Sequence, residues 1–268
     1  MKRYNRLLFL FASISVLFSC QKVIELDLKE SDPFYVIEGE VNKDSLIHTI
    51  YISKSKKFSS DNQFDKVSDA IVSISDDVNN VEILTEASPG VYKTSSIVGE
   101  EGVTYTLNVQ VGEVIFTSTS KMPTQVMLDS LIFLPSSFGG DGGKIIVPSR
   151  FDPPIIQNNY KFDVSISRFE ENEGWVRDSA IMIQNDDFSD GLYSQQPIFG
   201  TIGSFLPKDT CRVTMKCIDA NVYKYFFSLS QNDGGSATPA NPISNISGGA
   251  LGYFSAQTKQ TIQVVVPE

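Results

Sequence analysis

The amino-acid sequence predicts a mainly β protein, in which an N-terminal immunoglobulin- or transthyretin-like β-sandwich is followed by a second β-rich domain with one helix. Three observations support this fold class. Short segments of alternating apolar and polar residues recur between residues 29 and 123, turn-forming residues separate the later ones, and only one segment has a convincing helical period. About seven short strands at a spacing of roughly 8–12 residues are typical of such a sandwich.

The clearest strand pair lies at the end of this first region. In "VTYTLNVQV" (103–111) every second residue is apolar, as in a strand with one buried face. Gly112 and Glu113 separate it from "VIFTSTS" (114–120), and a two-residue Gly-X loop between alternating segments predicts a β-hairpin. The strand candidates further upstream are "FYVIEGEV", "HTIYIS", "AIVSIS", "VEILTE" and "GVYKTS".

A boundary near "KMPTQVMLDS" divides the chain into the sandwich, residues 29–123, and a second domain, residues 124–268. The clear strands of the second domain are "NYKFDVSIS", "TCRVTMKC" and "TIQVVV", and the weaker ones are "LIFLPSS" and "AIMIQND". The one helix is predicted near residues 220–231, because Asp219 suits an N-cap and apolar residues follow at i, i+3, i+4 and i+7. These apolar residues are Val222, Tyr225, Phe226 and Leu229.

Residues 1–19 have the pattern of a secretory signal peptide, with a basic start and an apolar stretch that is too short to span a bilayer. The segment "LFSC" that follows resembles a bacterial lipobox and predicts lipid attachment at the thiol of Cys20. Residues 20–28 would then form a short tether, and its apolar residues predict that its later part packs against a domain. The alternative is an ordinary secreted protein that is cut near Ser19 and carries a chance thiol at Cys20.

The charge of the chain argues against nucleic acid as a partner. The chain has 22 basic and 32 acidic residues. The leader contains three of the basic residues and no acidic ones, so its removal leaves 19 against 32, a net charge of −13. Such a chain is repelled by phosphate backbones and by anionic lipid headgroups. Membrane attachment would therefore depend on the lipid chains at Cys20.

The two remaining cysteines, Cys211 and Cys217, lie in the alternating segment "TCRVTMKC" and face the same side of a predicted strand. Six residues of strand span about 20 Å, whereas a disulfide requires Cα atoms within about 7 Å. We therefore expect two small buried side chains, and neither a disulfide nor a metal pair.

No catalytic, cofactor-binding or metal site is predicted. The only histidine, His48, alternates in phase with Ile50 and Ile52, which predicts a core or rim position. A single histidine excludes histidine-rich zinc sites, and no Gly-x-Ser-x-Gly elbow is present. The segment "FGGDGGKI" (138–145) does not match the phosphate-loop pattern and is expected to be a surface loop.

The acidic segment "NDDFSDG" (185–191) departs from the calcium-loop pattern, because Phe188 and Pro197 occupy positions 3 and 12 when Asp186 is position 1. A plain Asp-rich turn is favoured, and calcium binding by residues 186–191 stays open. Carboxylate pairs for glycoside cleavage also stay open, because many acids are present and nothing selects a pair.

Four aromatic residues flank polar loops of the second region: Trp175, Phe188, Tyr193 and Phe199. Exposed aromatic side chains in loops stack on sugars or apolar ligands and anchor interfaces. These four are the candidate ligand-binding residues, and the alternative is that they cover a small core.

Several segments together resemble an uncharacterised bacterial lipoprotein family, domain-of-unknown-function family 4249. They are "LFSCQKVIELDL", "SDAIVSISDD", "LTEASPGVYKTSSIVGEEGVTYTLNVQVGEVIFTSTSKMP", "FDPPIIQNNYKFDVSI" and "NPISNISGGALGYFSA". The resemblance implies an outer-membrane lipoprotein, often encoded beside TonB-dependent receptors, whose first domain is similar to the carboxypeptidase-regulatory-like sandwich. The family has no established catalytic residues, so none is transferred.

The leading expectation is therefore a non-enzymatic accessory protein, anchored to the outer membrane through lipid on Cys20, that serves substrate capture or complex assembly for a TonB-dependent transporter. The alternatives are a structural or adhesive cell-surface protein and a carboxylate-based hydrolase. The ligand, the partner receptor, the side of the outer membrane and the oligomeric state stay open.

Overall fold

The computed structural model describes residues 33–55, 64–136, 143–171, 174–198, 204–231 and 240–268. Within these ranges the protein consists of strands and one helix, arranged in several sheets that are almost entirely antiparallel. The prediction of a mainly β, sandwich-like fold is confirmed. No helix in the described part of the chain is long and apolar enough to cross a bilayer.

The strands are β1 (Tyr35–Asn42), β2 (Thr49–Lys54), β3 (Asp65–Lys66), β4 (Ile71–Asp76), β5 (Val81–Ile83), β6 (Thr85–Ser88), β7 (Val91–Lys93), β8 (Thr104–Val111), β9 (Val114–Lys121), β10 (Ser130–Pro135), β11 (Lys144–Phe151), β12 (Asn159–Glu170), β13 (Gly174–Asn185), β14 (Tyr193–Ser194), β15 (Thr210–Ile218), β16 (Ile246–Ser247) and β17 (Leu251–Val265). The helix, α1, comprises Ala220–Ser230.

The largest sheet has nine strands in the order β13-β12-β15-β17-β1-β2-β7-β6, with β3 paired to β2. A five-stranded sheet has the order β16-β9-β8-β4-β5, and a three-stranded sheet has the order β10-β11-β14. Among the strands that the structure describes, all pairs are antiparallel except β1 with β17, which are parallel and adjacent within the nine-stranded sheet.

The first sandwich encloses one apolar core between β1, β2 and β7 on one side and β4, β8 and β9 on the other. Strand alternation explains this core, because Ile37, Ile50 and Leu107 are fully or almost fully buried while their neighbours face outward. The predicted hairpin is confirmed: β8 and β9 pair along their whole length around Gly112, whose φ is +60°.

The prediction that "VEILTE" forms one strand is wrong. Val81–Ile83 is β5 of the five-stranded sheet, whereas Thr85–Ser88 is β6 of the nine-stranded sheet. Leu84 lies between them with its side chain in the core and its N–H donated to the carbonyl of Val72 at 2.8 Å. The chain crosses between the two sheets here, and Leu84 fills the core at the crossing.

A second apolar core lies between β10 and β11 and one face of β12, β15 and β17. Helix α1 packs on the opposite face of that sheet, since Met182 of β13 belongs to the second core while its neighbour Ile183 contacts the helix cluster. The long strand β17 contributes Phe254 to the first core and Ile262 to the second. The division of the chain into separate domains at residues 29–123 and 124–268 stays a prediction.

Helix α1 confirms the expectation for residues 220–231 to within one residue. The side chain of Asp219 accepts hydrogen bonds from the N–H groups of Asn221 (2.8 Å) and Val222 (3.1 Å), as an N-cap does. Cys211 and Cys217 of β15 are buried free thiols, as predicted. Burial raises the pKa of the Cys211 thiol to about 12, so it stays protonated and unreactive.

The expectation of a surface loop at 138–145 is corrected at its end, because Lys144 and Ile145 begin β11 and pair with β10. Residues 137–142 lie outside the described residues. The closing strand is also longer than "TIQVVV", since β17 begins at Leu251. Neither segment alternates regularly, because several consecutive residues of each are buried.

Candidate functional site

Two loops of the second region lie side by side where β11 and β13 end. Phe151 pairs with Tyr193, and the N–H of Asp152 donates to the carbonyl of Leu192 at 2.9 Å. Further along, the N–H of Ile155 donates to Oδ1 of Asp190 at 2.8 Å. These bonds hold residues 151–156 against residues 186–193 as one unit.

Together the two loops expose six large apolar side chains, which we name the apolar loop patch: Phe151, Ile155, Ile156, Phe188, Leu192 and Tyr193. Ile155 is 93% exposed and Phe188 is 83% exposed. Single exposed apolar residues are common on protein surfaces, but a cluster of this kind is typical of an interaction site.

Ile155 is also strained. Its φ is +76°, in the left-handed region that glycine and asparagine tolerate and that β-branched residues avoid. Such strain costs on the order of 1–3 kcal/mol and is found mainly at functional sites. A strained isoleucine that is almost fully exposed contributes little to packing inside the protein. This position therefore indicates a role outside the fold.

A buried polar cluster lies on the interior side of these loops. Arg150 is fully buried, its guanidinium carbon lies 4.1 Å from the centre of the Tyr160 ring, and its Nη2 donates to Oε1 of Gln184 at 2.9 Å. The hydroxyl of Tyr160 donates to Oδ1 of Asp152. Burial, opposed in part by this hydrogen bond, raises the pKa of the Asp152 carboxyl. Because these groups are buried, a ligand in solvent cannot reach them. Their contacts instead hold residue 152 and its loop in position.

The acidic turn uses its carboxylates within the fold. Oδ2 of Asp186 accepts the N–H of Asn158 at 2.6 Å, and Oδ2 of Asp187 accepts the side-chain amide of Asn185 at 2.6 Å. In the described residues no group of three or more His, Cys, Asp and Glu side chains is placed to hold a metal ion. Asp186 and Asp190 thus cap the backbone N–H groups of Asn158 and Ile155, whereas Asp187 is held by a side-chain amide.

The structure describes three of the four predicted ligand-binding aromatics, and it does not place these three in one site. Phe188 and Tyr193 belong to the apolar loop patch. Trp175 lies near the start of β13, is 67% exposed, and packs edge to face on Phe169 with ring centres 5.8 Å apart. Phe199, like the predicted lipidation site Cys20, lies outside the described residues.

Sequence reasoning missed four members of the patch, Phe151, Ile155, Ile156 and Leu192. A signal was present in "FDPPII", where two isoleucines follow a proline pair that prevents regular strand or helix structure. Two large apolar residues in such a segment either fill a core or face a partner. The structure shows that both side chains are exposed.

His48 is a structural residue, as predicted. It is buried, Nδ1 accepts the N–H of Asn42 at 3.3 Å, and Nε2 lies 3.1 Å from the carbonyl of Ile97. The first bond assigns the proton to Nε2, which then donates to Ile97. Burial lowers the pKa of His48, so the ring is neutral near pH 7 and both its nitrogens are used.

A concave feature elsewhere on the second region is a groove of about 890 Å³ between α1 and the sheet. Tyr223 and Phe227 of the helix line one wall, and Ile181 of β13 lines the other. The acidic lining residue Asp163 is paired with Lys161 at 2.7 Å. This pairing satisfies the carboxylate within the fold, so Asp163 is not a free charge that could orient a ligand. The groove is therefore a weaker candidate for a binding site than the apolar loop patch.

Fold and site together define a mainly β protein that presents an apolar surface on two braced loops. A family model described as "Domain of unknown function (DUF4249)" matches residues 21–263, and the chain belongs to this family. A search of curated proteins gives no match.

Proposed function

We propose that this protein is a lipid-anchored accessory protein of the outer membrane, without enzymatic activity, that serves ligand capture or complex assembly for a TonB-dependent transporter. The observation that carries the proposal is the apolar loop patch. Large apolar side chains that are held in water on braced loops have the chemistry of a protein-binding surface. The buried, fully hydrogen-bonded state of His48 supports a role without acid–base catalysis by histidine.

Two sequence features support the location. The lipobox-like "LFSC" supports lipid attachment at Cys20, and several acyl chains in one leaflet anchor a protein stably. The resemblance to lipoproteins encoded beside TonB-dependent receptors supports such a receptor as the first partner to test.

The anchor is tested by fractionating cells that express the full chain. We expect Cys20→Ala to move the protein from the membrane fraction to the soluble fraction, because it removes the thiol that accepts the lipid. The matched control is Cys211→Ala, which removes a buried thiol and should leave the protein membrane-bound. A Cys20→Ala protein that still sediments with membranes would refute the anchor.

The accessory role is tested by purifying the tagged protein from detergent extracts and by measuring uptake in a deletion strain. We expect an outer-membrane receptor to co-purify and the uptake of its substrate to fall in the deletion strain. A structural or adhesive role predicts neither result. Recovery of no receptor together with normal uptake would therefore refute the accessory role.

A further inference from the structure

We infer that the apolar loop patch docks into an apolar hollow, bordered by lysine or arginine side chains, on a different protein. The inference deepens the proposed function, on which it rests for the choice of the transporter as first partner. It names the surface that makes the contact and the chemistry of the face that receives it. Three features of the patch carry it: its projecting anchors, its rigidity and the charge around it.

The anchors project far enough to enter a hollow. Phe188 and Ile155 are the two most exposed large apolar side chains in the described part of the chain. Aromatic and large aliphatic side chains that insert into pockets supply most of the energy of many interfaces. A flat partner would leave much of both side chains in water, so a concave partner fits better.

The patch is also held in its exposed form before any partner arrives. Backbone bonds join Asp152 to Leu192 and Ser189 to Asp186, and the Asp190 carboxylate fixes the backbone at Ile155. A surface ordered in advance loses less conformational entropy on association than a mobile loop does. The local strain at Ile155 is consistent with this arrangement, because the braced loops hold that residue in its exposed conformation.

The charge around the patch selects the kind of partner. Asp187 and Asp190 are exposed in the acidic turn, and Asp129 is exposed beside the hydroxyl of Tyr193. None of the three carboxylates forms an ion pair with a described lysine or arginine. Basic side chains around the receiving hollow would complement these charges and guide association.

The same charges disfavour an anionic membrane and a second copy of this chain as the partner of the patch. An anionic lipid surface would repel the carboxylates that surround Phe188. In a symmetric dimer formed through this patch, each copy would meet the equivalent carboxylates of the other copy across the interface. A different protein with a basic rim avoids both repulsions.

The contact is mapped in cells with the full-length, lipidated chain. A photo-crosslinking phenylalanine analogue is placed at Phe188 or Ile156 in the patch, and at Trp175 or Ile83 as controls, which are also exposed apolar positions. We expect adducts with one and the same other protein from both patch positions and from neither control. Adducts between two copies, adducts only from the controls, or no adducts would each overturn the inference.

The chemistry is then measured with the purified protein and the cross-linked partner. We expect Phe188→Ala to weaken binding about tenfold or more, as for an interface anchor. Asp187→Asn should weaken binding and reduce its dependence on salt, whereas Asp77→Asn, an exposed carboxylate of the first sandwich, should change neither. Unchanged melting temperatures would show that the variants are folded. Salt-independent binding, or Phe188-dependent binding to anionic vesicles in place of protein, would overturn the inference.

The outcome separates this inference from the proposed function. A transporter cross-linked from the patch supports both. A different protein with a basic-rimmed hollow cross-linked from the patch supports the inference and contradicts the transporter role. A transporter cross-linked only from Trp175 supports the accessory role and overturns the inference.

Discussion

At the scale of single residues, Ile155 combines two local costs. Its backbone lies in a region that β-branched residues avoid, and its side chain is almost wholly in water. A residue chosen for stability alone at this position would be glycine or asparagine. The structure therefore predicts that stability and binding favour different residues here.

Ile155→Asn should stabilise the fold by about 1 kcal/mol, because asparagine tolerates a positive φ and little packing is lost. For a chain of this size we expect a rise of about 2–4 °C in the melting temperature. The matched control is Ile156→Asn, which removes a neighbouring exposed isoleucine whose φ is not positive. Equal effects of the two substitutions in thermal unfolding would show that backbone strain is not the cause.

The sequence predicted only some of the residues of the apolar loop patch. Phe188 and Tyr193 were recognisable as candidates because they are aromatic residues within polar loops. The proximity of residues 151–156 to them was not predictable, since it depends on the pairing of β11 with β14. A strand of two residues such as β14 has too little alternation to be recognised in a sequence.

At the scale of elements, the parallel pairing of β1 with β17 joins the two ends of the described chain. Gly252 makes this approach possible. Its φ is +96°, and a Cβ at this position would lie 2.0 Å from the carbonyl oxygen of Ile37 in β1. Only glycine allows the two backbones to come this close.

Gly252→Ala should therefore destabilise the protein severely, by roughly 3 kcal/mol or more, because the backbone of β1 or β17 must move. The matched control is Gly249→Ala. Gly249 also has a positive φ, of +85°, but has open space where its Cβ would lie. We expect about 1 kcal/mol for the control from the backbone term alone. Similar losses in denaturant unfolding of the two variants would contradict the role assigned to close approach.

Elements with a regular pattern were predictable and irregular ones were not. The hairpin of β8 and β9 was evident from its alternation and its Gly-X loop, and α1 was evident from Asp219 and its apolar spacing. β11 was missed because Pro148 and the buried Arg150 interrupt a strand whose residues 146–150 are all buried. The parallel partner of β1 lies more than 200 residues away in the chain, and no local pattern specifies such a pairing.

At the scale of the whole molecule, an ionic network joins strands from both ends of the chain. Nζ of Lys216 in β15 lies 2.9 Å from Oε1 of Glu40 in β1 and 3.1 Å from Oδ2 of Asp163 in β12. The hydroxyl of Tyr253 also donates to Glu40, at 3.2 Å. Within the nine-stranded sheet, the network thus connects β1, which lines the first core, to β12 and β15, which line the second, and we expect it to couple the two cores in unfolding.

Lys216→Met should destabilise the protein by about 2 kcal/mol, because it leaves the Glu40 carboxylate without its cation. The loss stays below that of a fully buried pair, since Glu40 and Asp163 keep some contact with water. The control is Lys208→Met, which removes an exposed pair with Glu268 and should change stability by less than about 0.5 kcal/mol.

The pKa shifts within this network predict how its electrostatic contribution to stability changes with pH. Against the effect of burial, Glu40 and Asp163 raise the pKa of Lys216 above its ordinary 10.5. Its contribution is therefore fully present below pH 10.5 and is lost as the pH rises through the raised value. Lys161 and Lys216 lower the pKa of Asp163 despite its burial, so the contribution of Asp163 to stability is lost as the pH falls below the ordinary value of 3.8.

Denaturant unfolding between pH 5 and 9 should therefore show a constant difference in the free energy of unfolding between Lys216→Met and the natural protein. A difference that disappears within this range, or two unfolding transitions in the natural protein, would contradict a network that couples the two cores.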